Sequence, residues 1–302
     1  MKSAVYFKLI RWKNLLIIAF TFYILRFHFF NYLKIELNLT LPQFFQLLLS
    51  VIFITAAGYI INDIYDIETD KINKPNKLLV SKKISKETAK RWYLFTNTIG
   101  LILGISLCLN TSNPSLSLLF ITTSLLLYYY SKKLKSVALL GNLIVSLLVT
   151  LSFILLFFFE INLNIKNESN ELVIIVFTLL ALFSFFLNLI RELVKDIEDV
   201  DGDYNVNLKT LPILFGRNRI KKAASYLCLL PLLLLFIVIW KFADIYQITS
   251  LYLLLFVLIP LVYVSIKLRS ISTKKAFHNI SSILKIIMFL GITSIFIFTK
   301  FQ

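Results

Sequence analysis

The chain is short of charge. Only 16% of its 302 residues are Asp, Glu, Lys or Arg, where a soluble domain carries about 25%, which excludes an ordinary water-facing surface over most of its length. Cysteine is nearly absent. Cys108 and Cys228 each sit inside an apolar run, so they offer neither a disulfide framework nor a metal-ligand spacing and read as small hydrophobic packing residues. Two isolated histidines, His28 and His278, exclude a histidine-rich metal centre. Alternation is missing too: the apolar residues come in continuous runs and not at every second position, which argues against a β-barrel. No small-residue cleavage site follows the first apolar run, which is therefore expected to stay as a helix.

What is present is oil. The chain is 58% hydrophobic with a mean hydropathy of +0.82, and its Leu, Ile and Phe arrive in runs long enough to cross a hydrocarbon core of roughly 30 Å as helices. The runs predict nine spans, at Leu15–Phe30, Phe44–Ile61, Trp92–Leu109, Leu116–Tyr130, Val137–Phe159, Leu172–Ile190, Ala223–Trp240, Ile248–Ile266 and Ile280–Phe298. Backbone groups in lipid must be paired within their own segment, so the expected fold is an all-α polytopic membrane protein.

The net charge of +16 could suggest nucleic acid, but its placement points elsewhere. If the amino terminus is cytoplasmic, the inner segments hold Lys2, Lys8, Arg11 and Lys13, a basic stretch from Lys71 to Arg91, Lys132, Lys133 and Lys135, and a second stretch from Arg191 to Lys222. The outer segments hold only Lys34, Lys166, Lys241 and Lys300. This is the positive-inside bias. It predicts an integral membrane protein of the prokaryotic inner membrane, amino terminus cytoplasmic and carboxyl terminus outside. The basic charge serves topology and contact with membrane lipids, not nucleic acid.

Acid is scarcer still, and it is concentrated. Seven of the eight aspartates lie in two windows, "NDIYDIETD" from Asn62 and "KDIEDVDGD" from Lys195. Asp63, Asp66 and Asp70 match Asp196, Asp199 and Asp203 in spacing, and each set follows an apolar span. Such spacing puts three carboxylates within about 60° of one helical face, at a helix end whose dipole is already negative. Like charges stacked there repel unless a cation arrives. The ladders follow the second and sixth spans, so both emerge on one side of the membrane, by the charge bias the cytoplasmic one. The string "DVDGD" lacks the ligand spacing and distal glutamate of a calcium loop. Hard oxygen donors with few residues per ion suit Mg2+, which binds through one or two carboxylates plus substrate phosphates. Lys71, Lys74 and Lys77, Lys132, Lys133 and Lys135, and Lys209 lie near the acids. Carboxylates, magnesium and lysine on one face suggest a diphosphate whose charge grows as it departs.

These residues resemble the UbiA superfamily of intramembrane prenyltransferases. "NDIYDIETD" fits its first motif at Asn62, Asp63, Asp66 and Asp70, and "DVDGD" fits the second at Asp199 and Asp203, with Asp196 before it. "YSKKLK" is similar to the stretch preceding the family's fifth helix, with Lys135 at its lysine, and Gly141–Asn142 resembles a pair at the start of that helix. "LKTLPILFG" resembles the segment after the second motif, and Asn14 matches an asparagine opening the first helix. Within the superfamily, "RELVKDIEDVDGD" and "DIETDKINKPNK" look most like the geranylgeranylglyceryl-phosphate geranylgeranyltransferase branch. There a glycine usually stands where this chain has Asn207, and Arg is commoner than Lys around Lys74 and Lys77. A tight positive-φ turn at 207 would favour glycine.

The resemblance implies nine helices around a central cavity open to the cytoplasmic side, one family domain over residues 1–302, and Mg2+-dependent transfer from a prenyl diphosphate. It assigns Asp63, Asp66, Asp70, Asp199 and Asp203 to the metal and Asp196 to the catalytic set. Asn14, Asn62, Lys74, Lys77, Lys135, Asn142 and Lys209 are expected to bind substrate. The Phe- and Tyr-rich helices could line a dry pocket for an allylic cation. No residue stands out as a general base. Two acceptors stay open, a prenylglyceryl phosphate hydroxyl and the aromatic ring of a quinone or pigment precursor. The reading from another class is a cation transporter. Transporter ion sites lie near the bilayer midplane on interrupted helices, whereas these acids sit at span ends.

Overall fold

The computed structural model describes residues 2–76, 78–161 and 168–301. Among them the regular elements are all helical. Helix α1 (Lys2–Leu9) precedes α2 (Trp12–Tyr23), which runs on as a π-helical turn over Ile24–Phe30. Then come α3 (Leu41–Tyr65), α4 (Ile67–Asn73), α5 (Lys86–Asn110), α6 (Ser117–Lys132), α7 (Leu140–Glu160) and α8 (Glu168–Asn205). The rest of the chain forms α9 (Leu211–Phe215), α10 (Arg217–Leu227), α11 (Leu229–Phe242), α12 (Gln247–Leu253), α13 (Ile259–Ser270) and α14 (Lys274–Lys300).

Among the described residues, eight helical stretches are long and apolar enough to cross a membrane: Trp12–Phe30, Leu41–Tyr65, Lys86–Asn110, Leu140–Glu160, Asn170–Asn205, Arg217–Phe242, Gln247–Ser270 and Lys274–Lys300. The all-α membrane architecture read from the sequence is present. The expected fourth span, Leu116–Tyr130, falls on α6, a helix of 16 residues. At 1.5 Å per residue that is about 24 Å, short of a hydrocarbon core of roughly 30 Å.

Local chemistry sets the helix starts. Thr40 and Gln43 form a capping box ahead of α3, with Pro42 in its first turn, where a missing N–H costs nothing. Ser85 opens α5 by accepting from the Thr88 N–H at 3.1 Å, and Thr273 does the same for Ala276 at α14.

The chain divides into two compact units. The first holds Met1–Phe20, Asn38–Ile144 and Asp201–Lys209. Its helices α3, α5 and α6 approach closely through small residues: a Cβ at position 100 would lie 2.7 Å from Ile54 Cγ1, and one at 104 would lie 2.7 Å from the Phe120 ring. Gly100 and Gly104 therefore act as the small-xxx-small contact by which membrane helices pack, and buried Ser50 seals it by donating to the Gly100 carbonyl at 2.7 Å.

The second unit holds Thr21–Leu37, Val145–Val200 and Thr210–Gln302. Leu187, Ile190 and Val194 of α8 are buried with Ala224, Leu261, Leu268 and Leu284. Phe30 stacks on Phe177 at 5.7 Å, and Phe153 and Phe157 join them. Arg26 and Glu160, almost wholly buried, form an ion pair in the same unit.

Candidate functional site

The first acidic string straddles a helix break. Asn62 and Asp63 lie in the last turns of α3, Asp66 stands at the break with φ −88 and ψ 3, and Asp70 is on α4. The hydrogen-bond ladder continues across it: the Asp66 N–H donates to the Asn62 carbonyl at 2.9 Å and the Asp70 N–H to the Asp66 carbonyl at 2.8 Å. The three acids thus stay on successive turns.

Basic groups of the first unit come to them. Arg11 donates to Asp63 Oδ1 at 2.9 Å and lies 4.8 Å over the Tyr59 ring. Burial works against the Arg11 charge, but Asp63 beside it more than offsets this and raises its pKa. Asn14 donates to the Tyr59 hydroxyl at 3.2 Å. Lys135 is ion-paired with Asp66 Oδ1, and Asn62 Nδ2 donates to Asp66 Oδ2 at 2.6 Å. Gly141 makes room for Lys135, since a Cβ there would lie 2.9 Å from the Lys135 Cα. The Gly141–Asn142 pair thus has a packing cause, and Asn142 is buried beside it.

The second acidic string belongs to one continuous helix, α8, 38 residues long. Asp196 and Asp199 fall in the second unit, where Glu198 on the opposite side of the helix is buried and lies 3.0 Å from His278 Nδ1. Asp203 falls in the first unit and is buried. The helix ends in a Schellman turn: the Leu208 N–H donates to the Asp203 carbonyl at 3.0 Å and the Asn207 N–H to the Tyr204 carbonyl at 3.1 Å. Asn207 occupies the left-handed position with φ 56. Glycine is the usual residue there and asparagine the next best, which accounts for Asn at a place where the branch has Gly. The turn sends Lys209 back along the Lys135 segment, where its N–H donates to the Ser136 carbonyl at 3.3 Å and it bridges to Val137.

Of the expected substrate residues, Asn14, Asn62, Lys135, Asn142 and Lys209 are all in the first unit with Asp63, Asp66, Asp70 and Asp203. Lys74 closes α4 by donating its N–H to the Asp70 carbonyl at 2.9 Å. Lys77 lies outside the described residues. The donor set suits a hard cation: carboxylate oxygens on successive turns, and a buried Asn62 Oδ1 without a hydrogen-bond partner. Among the described residues, no three His, Cys, Asp or Glu side chains form a ready cluster; Arg11 and Lys135 hold two of the first three acids.

Comparison with known proteins decides the family. Residues 15–291 match the UbiA prenyltransferase family. The chain belongs to it. UbiA relatives include the digeranylgeranylglyceryl phosphate synthase of Saccharolobus solfataricus, 38% identical over 78% of this chain and 80% of that one. The protein of the same name from Methanosphaera stadtmanae is 31% identical over 82% and 84%. A solved structure of a digeranylgeranylglyceryl phosphate synthase superposes with a TM-score of 0.67 at 28% identity, covering 98% of both chains. The UbiA homolog from Archaeoglobus fulgidus bound to GPP and Mg2+ superposes at 0.59 with 17% identity, over 96% of this chain and 99% of that one, a likeness of fold.

Two residues at the candidate site had no role assigned from the sequence. Arg11 counted there only as inner-loop charge, although it lies a few positions before Asn14. Its position with φ 52, after α1, turns the chain so that the guanidinium reaches Asp63. Asn73 falls within the string "DIETDKINKPNK" that resembles the branch but received no role of its own, yet its Oδ1 accepts the Gly202 N–H at 3.1 Å in the second motif.

Proposed function

We propose that this chain is a magnesium-dependent membrane prenyltransferase moving a prenyl group, such as geranylgeranyl, from its diphosphate to the hydroxyl of a prenylglyceryl phosphate. The observation that supports this is the ion pair of Lys135 with Asp66, with Asp203 and the Lys209 segment in the same unit: acid and base from three separate stretches of sequence share one unit. The relatives named digeranylgeranylglyceryl phosphate synthase support the acceptor class.

In this reading Asp63, Asp66, Asp70, Asp199 and Asp203 hold the magnesium, and Asp196 and Asn62 orient those carboxylates. When bound, the metal supplies positive charge to the leaving diphosphate. Lys135 and Lys209 add donors to the same oxygens, which are worth most in a water-poor site. Asn14, Asn142, Lys74 and Lys77 contact substrate. Aromatic residues on the helices exclude water from the allylic cation until the acceptor oxygen attacks it.

The finer topology belongs to the same proposal. It has nine crossings with α6 as the short one, accommodated by local bilayer thinning, in a single family domain whose cavity opens to the cytoplasm and whose amino terminus is cytoplasmic. The inner-loop lysines and arginines support it. Membranes containing the protein should transfer label from prenyl diphosphate to geranylgeranylglyceryl phosphate in preference to an aromatic acid. Undiminished transfer in both Asp66→Ala and Asp199→Ala would defeat the metal assignment. A preference for the aromatic acceptor, or magnesium flux in proteoliposomes without any transfer, would favour the rival readings.

A further inference from the structure

Helix α4 carries Asp70 and ends at Asn73, one turn on. The Asn73 side chain is buried at 7% exposure, and its Oδ1 accepts the backbone N–H of Gly202 at 3.1 Å. Gly202 immediately precedes Asp203 in the second acidic string. A Cβ at position 202 would lie 2.6 Å from Asn73 Cγ, so the amide fills the space that any other residue would need. Both residues belong to the first unit. Position 202 is helical, so its glycine is not explained by a left-handed turn, and a glycine inside a helix costs about 1 kcal/mol relative to alanine. What requires it is the approach of α4.

We infer that Asn73 is a positioning residue that fixes the distance between the two acidic strings by seating its amide on the Gly202 backbone. The contact joins α4, one turn beyond Asp70, to the peptide group adjoining Asp203. A carboxylate pair that shares a cation works only within a narrow range of separation, because Mg2+ demands near-ideal geometry at about 2.0–2.1 Å from each oxygen. Packing of apolar side chains alone would let α4 slide. A hydrogen bond to a backbone atom with no side chain between fixes it in two directions at once. The Asn73 oxygen accepts, and its amide plane abuts the glycine Cα.

The inference rests on the magnesium reading above, and its test separates the two. Purified wild type, Asn73→Ala, Gly202→Ala and the double variant Asn73→Ala/Gly202→Ala are titrated with Mg2+ in the presence of inorganic pyrophosphate. Thermal unfolding in detergent reports the binding midpoint, and transfer is assayed in parallel. Each single variant should raise the Mg2+ midpoint about tenfold, the low end of what losing a group behind a metal ligand costs. The double variant should be no worse than Asn73→Ala, because removing the amide makes room for the alanine Cβ. That absence of additivity is not expected from two unrelated defects. If the single variants unfold at lower temperature but keep the wild-type Mg2+ midpoint, Asn73 is only packing and the inference fails. If wild type itself shows no Mg2+-dependent shift while Asp66→Ala transfers normally, the metal reading fails instead, and this inference with it.

Discussion

The ammonium of Lys135 is seated on the carboxylate of Asp66, although the two residues are separated by the whole of α5 and α6. Asp66 stands at the break between α3 and α4, and Lys135 in the short turn that Gly141 accommodates. The lysine offsets one of three stacked negative charges, and in the proposed mechanism it would donate to a substrate phosphate. Lys135→Ala should therefore lower kcat/KM for the prenyl diphosphate by on the order of 100-fold, with Lys135→Arg losing less. Initial rates against donor concentration measure this, and wild-type rates in Lys135→Ala would remove the lysine from the mechanism.

Chelation gives a coarser check. With hard oxygen donors, transfer by native membranes should stop on treatment with EDTA and return on adding Mg2+ in excess, but not on adding Na+ or K+. Activity that survives exhaustive chelation would contradict the metal assignment.

The buried pair of Arg26 with Glu160 in the second unit carries a separate expectation. Two charges taken out of water tolerate one another only as partners, and removing one leaves the other uncompensated. Glu160→Ala should destabilise the protein by about 3 kcal/mol or more, whereas Arg26→Met with Glu160→Leu together should recover much of the loss. Thermal midpoints in detergent decide it. A single variant as stable as wild type would show that the pair is dispensable.

Among the described residues, three helix ends place a residue other than glycine in the left-handed position of a Schellman turn. Asn207 is one; Lys34 has φ 52, with Ile35 donating to the Phe30 carbonyl at 3.0 Å; and Ser112 has φ 54, with Asn113 donating to the Cys108 carbonyl at 2.9 Å. A side chain strains this conformation by about 1 kcal/mol, less for Asn. Lys34→Gly and Ser112→Gly should each raise the thermal midpoint, and Asn207→Gly should raise it less. The reverse order in melting curves would show that the cost lies elsewhere.

How far the sequence carried depended on how far apart the interacting residues lie. Membrane helices are legible because lipid imposes length and composition on each segment alone. The paired acids were legible because seven of eight aspartates in an oily chain have no bland reason to gather in two windows. Pairing between distant residues was not. Nothing local marks Arg11 as the partner of Asp63, or Glu160, at the last position of α7, as the partner of Arg26. Asn73 is uncharged and ends a short helix, so only its meeting with Gly202 gives it a meaning. The length of α6 was harder for another reason: "LLFITTSLLLYYY" is apolar enough to span, and its size is set by the turns at Asn113 and Lys133, which composition does not disclose.

Helix α8 has 38 residues, about 57 Å from end to end, nearly twice the thickness of hydrocarbon it has to cross. On the proposed topology the segment after Ile190 would extend beyond the hydrocarbon while its Asp203 stays covered by protein. On the proposed reaction a diphosphate released there would leave in water, while a prenylated lipid would stay dissolved in the bilayer. A helix of this length would in this way help sort the two proposed products into separate phases.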